Sequence, residues 1–121
     1  MNWIPLLLIT GVVLVLAILK KAGQVSTKEA QELLKAGALV IDVRTAEEYV
    51  AGHLATAVNM PLNEIGASIG RLVRAKDQVL LLHCQSGIRS GAAMKKLKAM
   101  GYTNVYNLGS YARAASIVNS K

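Results

Sequence analysis

Cys84 is the one cysteine of the 121-residue chain, and it lies where a nucleophile is easily activated. It directly follows the apolar run 79–82 and precedes residues 85–90, which lead into a helical pattern. A loop in that position points backbone N–H groups inward and forms an anion-binding nest. The N-terminus of the helix adds partial positive charge, and Arg89 adds a full one. These features predict a nucleophilic thiolate with a lowered pKa.

A competing interpretation of Cys84 is an inert thiol buried at the end of a strand, the common state of a lone cysteine. His83 does not favour a Cys–His pair, because adjacent residues on a strand point to opposite faces. We expect His83 in the core or behind the site. His53, in a turn after Gly52, is expected to be structural. One cysteine and two separated histidines are too few ligands for a metal site, so we expect no metal and no cofactor.

Alternating strand and helix patterns over residues 24–121 supply the frame that positions Cys84. Short apolar runs at 38–42, 79–82 and 105–107 predict strands, and apolar residues at helical spacing predict helices between them. Ser26 and Thr45 each begin a capping-box pattern at a helix start. The alternation predicts an α/β fold with an open, mostly parallel sheet and helices on both faces. Such sheets bind ligands at the carboxyl ends of their strands.

The N-terminal residues 3–19 contain no charged side chain and span about 25 Å as a helix, the short end of what crosses a bilayer. Trp3 at one end and Lys20 and Lys21 at the other suit the two membrane interfaces. A cleaved signal peptide carries its charge before the apolar stretch, and a buried core helix shows a polar face. We therefore expect a transmembrane helix over 3–19, a basic juxtamembrane linker over 20–23 and the globular domain over 24–121.

The distribution of charge predicts topology and partners. Lysines lie on the C-terminal side of the span, which predicts the N-terminus outside and the domain in the cytoplasm. A single cysteine, which has no partner for an internal disulfide, agrees with a reducing compartment. The formal net charge of +7 favours anionic lipid headgroups and small anions as partners. Aromatic residues are few and no nucleic-acid motif is recognised, so we expect no nucleic-acid partner.

Two stretches of the sequence resemble signatures of the rhodanese (sulfurtransferase) family, and they occur in the family's order. The resemblance covers nearly all of residues 24–121 and is specific because both signatures are present. The matching residues are Ile41-Asp42-Val43-Arg44, Glu48, Gly52-His53-Leu54 and Cys84-Gln85-Ser86-Gly87-Ile88-Arg89-Ser90. One departure lies near the last strand, where many members have two glycines and this chain has Gly109-Ser110.

The resemblance implies that Cys84 takes a sulfane sulfur from a donor such as thiosulfate and passes it to a thiophilic acceptor, cyanide or a thiol, carried by a small molecule or a protein. The resulting persulfide would be stabilised by N–H groups of the loop, and Arg89 would bind the anionic donor. Arg44 and Glu48 are expected to form an internal ion pair, and Asp42 to orient the strand end. The loop residues are Gln85, Ser86, Gly87, Ile88, Arg89 and Ser90.

Three other functions compete with sulfur transfer. Related phosphatases and arsenate reductases use a loop one residue longer, and the shorter spacing from Cys84 to Arg89 suits a single sulfur atom better than a tetrahedral anion. A non-catalytic module that binds an anion or a partner at the membrane is the second alternative. Disulfide exchange is disfavoured, because the chain has no second cysteine to resolve a mixed disulfide.

Overall fold

A computed structural model describes residues 2–119, and within them it leaves the side chains of 16–22 undescribed. The helices and strands alternate along the chain, as the sequence pattern predicts. The helices are α1 (Ile4–Ala22), α2 (Thr27–Lys35), α3 (Ala46–Ala51), α4 (Leu62–Leu72), α5 (Ile88–Ala99) and α6 (Tyr111–Asn119), and the strands are β1 (Leu39–Asp42), β2 (Val58–Asn59), β3 (Leu80–His83) and β4 (Val105–Gly109).

Within residues 2–119, four parallel strands form one sheet in the order β2-β1-β3-β4. The apolar strand β3 lies inside the sheet, between β1 and β4, as its sequence predicts. Because all strands run the same way, the residues after Asp42, His83 and Gly109 meet at one edge. The predicted open parallel α/β fold is therefore confirmed.

The core has two layers, one on each face of the sheet. Alternate residues of a strand contribute to opposite layers, so Leu80 and Leu82 pack on one face and Leu81 on the other. The first layer is closed by apolar side chains of α4 and α5, including Ile65 and Leu97. The second layer is closed by side chains of α2 and α6.

Capping side chains explain where two helices begin. Thr45 accepts the N–H of Glu48, and the Glu48 carboxylate accepts the N–H of Thr45, which completes a capping box at the start of α3. Ser26 accepts the N–H of Glu29 at the start of α2. The short strand β2 was not predicted, because two residues are too few to show a strand pattern.

The N-terminal helix α1 is apolar and exposed where its side chains are described. Its large apolar residues from Ile4 to Val15 are 54–68% exposed. In the described part of the chain, no helix has the length and hydropathy needed to cross a membrane. The predicted transmembrane helix over 3–19 is therefore not confirmed, and the side chains of 16–19 lie outside the described part. Helix α1 itself continues through Ala22, into the segment 20–23 that the sequence predicts to be a linker.

Candidate active site

The sulfur of Cys84 lies in a cradle of hydrogen-bond donors at the carboxyl end of β3. The Gly87 N–H donates to Cys84 Sγ at 3.0 Å, and Ser90 Oγ lies 3.5 Å from the same sulfur. The Cys84 N–H donates to the Gly109 carbonyl at 3.2 Å, which fixes the start of the loop against β4. The whole side chain is buried, with 0% exposure. The nest predicted from the sequence is thus formed around the sulfur atom.

The pKa of Cys84 lies below its ordinary value, although burial of the thiol acts to raise it. Hydrogen bonds from the Ser90 hydroxyl and from the backbone N–H groups of Ser90, Gly87 and Ser86 outweigh that burial. Each of these donors is stronger toward an anion than toward a neutral thiol. The cradle therefore favours a thiolate, and it would equally accept the terminal sulfur of a persulfide.

Gly87 shapes this cradle through its backbone conformation. Its φ of +97° lies in the left-handed region, and it caps the N-terminus of α5. A Cβ at this position would come within 3.2 Å of the Gly109 Cα. The helix begins at Ile88, directly after Gly87, so its first turn is part of the cradle.

Arg89 and Glu48 form an ion pair beside the loop. Arg89 Nη1 lies 2.5 Å from Glu48 Oε1, and Arg89 Nη2 lies 3.0 Å from Glu48 Oε2. The two side chains are 35% and 33% exposed. The hydrogen bonds from Arg89, with help from the Thr45 N–H, lower the pKa of Glu48 to about 2. Arg89 thus already has a carboxylate partner, which the sequence did not predict.

The predicted ion pair between Arg44 and Glu48 is wrong, because Arg44 pairs with Asp42 instead. Arg44 donates to both carboxylate oxygens of Asp42, with the shortest distance 2.7 Å from Nη2 to Oδ2. Its Nη2 also donates to the Gly52 carbonyl at 2.7 Å. Asp42 is fully buried, and its hydrogen bonds raise the pKa of Arg44 against the effect of burial. The pair joins the end of β1 to the turn after α3.

His83 lies behind the loop rather than beside the sulfur. It is fully buried, and its Nε2 has no hydrogen-bond partner among the residues that the structure describes, with Asp42 Oδ2 3.8 Å away. Burial lowers the pKa of His83 more than the nearby Asp42 carboxylate raises it. His53 is exposed and stacks on Tyr49, to whose carbonyl it is hydrogen-bonded at 2.8 Å. Among residues 2–119, no three His, Cys, Asp or Glu side chains are grouped as metal ligands.

Asn107 also reaches the cradle, a contact that the sequence pattern did not predict. Its carboxamide contacts Gly87, Ser90 and Gly109 from the middle of β4. The available signal was a polar residue inside the apolar run 105–108, because a buried carboxamide must have hydrogen-bond partners. The side chain therefore links the last strand to the loop.

Ser110, which follows Gly109 at the end of β4, lies against the same loop. It forms an antiparallel bridge with Ser86, and the Tyr111 N–H donates to the Gln85 carbonyl at 3.3 Å. The Ser110 hydroxyl accepts the N–H of Arg113 at 3.1 Å and so caps α6. The residue thus helps to hold the outer side of the loop.

Several proteins with similar sequences or structures are named as sulfurtransferases or rhodaneses. The chain is 41% identical over 69 residues to the thiosulfate sulfurtransferase PspE of Escherichia coli, a match that covers 57% of this chain and 66% of PspE. It superposes on a rhodanese with anions from E. coli with a TM-score of 0.61 and 36% identity, covering 64% of this chain and 91% of that one. The human single-domain sulfurtransferase TSTD1 gives a TM-score of 0.65 at 29% identity, covering 82% and 98%.

The curated relatives are matched over only part of their length. The chain spans between 33% and 66% of the length of four of its curated relatives, two of which are uncharacterised proteins from Bacillus subtilis and Synechocystis. The family model of the rhodanese-like domain matches residues 26–113, which include both signatures and every strand described here. The chain therefore belongs to the family of rhodanese-like domains.

Proposed function

We propose that this protein is a sulfurtransferase that carries a sulfane sulfur on Cys84. The observation that supports this most is the cradle itself, in which the Gly87 N–H lies 3.0 Å from the sulfur and the loop donors lower the pKa of the thiol. Donors aimed at a single buried sulfur suit a thiolate and a persulfide alike. Relatives that are named thiosulfate sulfurtransferases agree with this assignment.

The proposed reaction has two balanced steps. The Cys84 thiolate attacks the outer sulfur of thiosulfate, the S–S bond of the donor breaks, and sulfite leaves with the bonding electron pair. The resulting persulfide anion then gives its outer sulfur to cyanide or a thiolate, which restores the Cys84 thiolate. Neither step needs a metal or a redox cofactor, because the sulfane sulfur moves without net oxidation of the enzyme.

We propose further that Arg89 holds the anionic end of the donor. Its bidentate pair with Glu48 uses one N–H on each terminal nitrogen, and a guanidinium has five N–H donors in all. The remaining donors are available for a sulfonate group. Glu48 orients the Arg89 guanidinium in this arrangement and neutralises part of the positive charge of Arg89.

A steady-state assay with thiosulfate and cyanide tests the activity. The full chain in mild detergent is compared with Cys84→Ser and with Ser116→Ala, an exposed serine on α6 that serves as the control. We expect thiocyanate from the native protein and the control, and none above background from Cys84→Ser. No thiocyanate from the native protein with thiosulfate or an organic persulfide as donor would contradict the proposal.

A non-catalytic module that binds an anion or a partner is the second candidate, and one observation favours it. The Cys84 side chain is 0% exposed, whereas reactive cysteines are commonly accessible in part. Under this alternative, sulfite or thiosulfate would bind without a change in protein mass. Calorimetry with sulfite, combined with intact mass after thiosulfate, separates binding from transfer.

We also propose that α1 places the domain at a membrane, with the domain on the cytoplasmic side. Trp3 is 69% exposed, and its apolar neighbours on α1 are exposed to a similar extent, more than soluble surfaces usually tolerate in one patch. Lys20 and Lys21 follow this surface in the sequence and suit anionic headgroups. A lipid surface is therefore the occupant that we infer.

Flotation with vesicles that contain anionic lipid tests this association. The full chain is compared with Leu8→Lys on α1 and with Val50→Lys, a matched change at an exposed apolar residue of α3. We expect the native chain and Val50→Lys to float, and Leu8→Lys to float less. Equal recovery of all three in the soluble fraction would overturn the membrane proposal and leave the enzymatic one untouched.

A further inference from the structure

Asn107 is a buried polar residue in a strand whose other side chains are mainly apolar. It is 4% exposed and pairs with Leu82 across the sheet. Its backbone carbonyl accepts the Val25 N–H at 3.0 Å. A buried carboxamide is costly unless its N–H and C=O groups are paired, so the partners of this side chain are the key to its role.

All the side-chain partners of Asn107 belong to the Cys84 loop or to the strand end beside it. Nδ2 donates to the Gly87 carbonyl at 3.1 Å. Oδ1 accepts the Gly109 N–H at 2.8 Å and lies 2.6 Å from Ser90 Oγ. One carboxamide thus joins the left-handed turn at Gly87, the hydroxyl of Ser90 and the end of β4.

The bond to Gly87 fixes the direction of a donor to the sulfur. The Gly87 N–H donates to Cys84 Sγ, while the Gly87 carbonyl is held by Asn107. Glycine in the left-handed region has no Cβ to limit its rotation, so partners at both ends of the residue set its orientation. Asn107 therefore helps to keep the Gly87 N–H aimed at the sulfur.

The contact with Ser90 governs where one proton points. Ser90 Oγ lies 2.6 Å from Asn107 Oδ1, 3.1 Å from the Gly87 carbonyl and 3.5 Å from Cys84 Sγ. A hydroxyl has one proton to donate, so these three acceptors compete for it. The shortest contact gives the proton to Asn107, and a more negative sulfur draws it toward Cys84.

We propose that Asn107 is a positioning residue for the nucleophile, holding Gly87 so that its N–H group serves the Cys84 sulfur. That Asn107 also supports a Cys84 persulfide in this way rests on the proposed sulfurtransferase function. The effect on the thiolate does not depend on that function. Asn107 touches no substrate in this arrangement and acts through Gly87.

The test replaces the polar carboxamide by an apolar side chain of similar size, which can neither donate nor accept a hydrogen bond. Asn107→Leu in the full chain is compared with Asn104→Leu, a control at an exposed hydrogen bond to Asp77. The readout is the rate of alkylation of Cys84 by iodoacetamide as a function of pH, which requires no catalytic turnover. With the Gly87 donor to the anion misplaced, we expect Asn107→Leu to react about tenfold more slowly at pH 7, with its inflection at higher pH, and Asn104→Leu to behave as native.

Turnover measurements separate this proposal from the proposed function. If thiosulfate is a donor, Asn107→Leu lowers kcat more than it raises KM, because the thiosulfate anion is not held by Asn107. Slower alkylation in a chain that shows no turnover would sustain the role of Asn107 and reject sulfur transfer. A folded Asn107→Leu chain with native alkylation at every pH would overturn the positioning role.

A measurement on the native chain covers the case in which Asn107→Leu does not fold. The side-chain amide signal of Asn107 in the ¹⁵N-labelled protein should shift across the pH range in which Cys84 ionises. The shift should be absent in Cys84→Ser. An Asn107 amide signal that stays constant through that ionisation would contradict the proposal.

Discussion

Among single residues, Cys84 organises its neighbours through its sulfur atom. Hydrogen bonds from Gly87 and Ser90 converge on Cys84 Sγ, and they lower its pKa despite complete burial. The charge of Arg89, by contrast, is shared with Glu48. Backbone and hydroxyl donors therefore lower the pKa of this thiol, and the proposed role of Arg89 is to hold the anionic sulfur donor.

The lowered pKa of Cys84 predicts how stability depends on pH. A folded-state pKa below the unfolded value of about 9.0 means that the folded protein loses its proton first. The stabilisation from the thiolate is therefore complete above that unfolded value and is lost as pH falls through the folded pKa. We expect the Tm of the native chain, measured relative to Cys84→Ser, to rise across this window. A constant difference between the two melting temperatures at all pH values would contradict a thiolate cradle.

At the level of secondary structure, three neighbouring strands form the site at one edge of the sheet. Cys84 directly follows β3, Asn107 and Gly109 lie in the middle and at the end of β4, and Asp42 ends β1. Each is held to the next by side-chain or backbone hydrogen bonds across the edge. The turn into α5 then closes the cradle through the left-handed conformation of Gly87.

Gly87→Ala tests the importance of that turn. Gly101 has a similar φ of +99° but open space around it, whereas a Cβ at Gly87 would meet the Gly109 backbone at 3.2 Å. Both substitutions should cost about 1–2 kcal/mol of unfolding free energy from the left-handed backbone alone. We expect Gly87→Ala to cost more than Gly101→Ala in urea unfolding and to slow Cys84 alkylation, which Gly101→Ala should leave unchanged. Equal effects of the two substitutions on both measurements would show that the close approach to Gly109 is unimportant.

The buried pair of Asp42 and Arg44 should be structural. Asp42→Asn leaves a guanidinium that is only 5% exposed without its counter-charge, which should cost about 3 kcal/mol of unfolding free energy. Asp77→Asn, at an exposed aspartate, is the control and should change the free energy by less than about 0.5 kcal/mol. Urea unfolding measures both. A loss below about 1 kcal/mol for Asp42→Asn would mean that water or Gly52 compensates for the missing charge.

Much of this element arrangement was predictable from sequence, because apolar runs and capping patterns are local signals. Such patterns predict the strand β3, the capping box at Thr45 that begins α3, and the nest after Cys84. The exchange of ion-pair partners was not predictable. Whether Arg44 meets Asp42 or Glu48 depends on side-chain direction across two elements, and sequence spacing does not specify it.

In the molecule as a whole, helix α1 and the rhodanese-like domain differ in how far their apolar side chains are buried. The domain buries its apolar residues in two layers, while α1 leaves its described apolar side chains exposed. The domain therefore buries its apolar side chains internally, whereas the described part of α1 does not. The proposal that lipid covers α1 fits the positive charge that follows its apolar residues in the sequence.

The proposed cytoplasmic side makes a prediction about labelling in cells. A chain with Cys84→Ser and Ser116→Cys carries its single thiol at an exposed site on α6. We expect a membrane-impermeant maleimide to label it only after the cells are permeabilised. Labelling of intact cells would place the domain outside the cytoplasm and contradict the proposed topology. Recovery of the chain without membranes would contradict membrane association itself.

The central claim is that Cys84 itself carries the transferred sulfur, and intact mass spectrometry tests it directly. The native chain is incubated with thiosulfate alone, without an acceptor, beside Cys84→Ser, and the sulfite released is measured in the same sample. We predict that the native chain gains the mass of one sulfur atom, releases an equal amount of sulfite, and loses the added mass when cyanide is supplied. A native chain that binds thiosulfate without gaining sulfur, or a Cys84→Ser chain that gains it, would contradict the account.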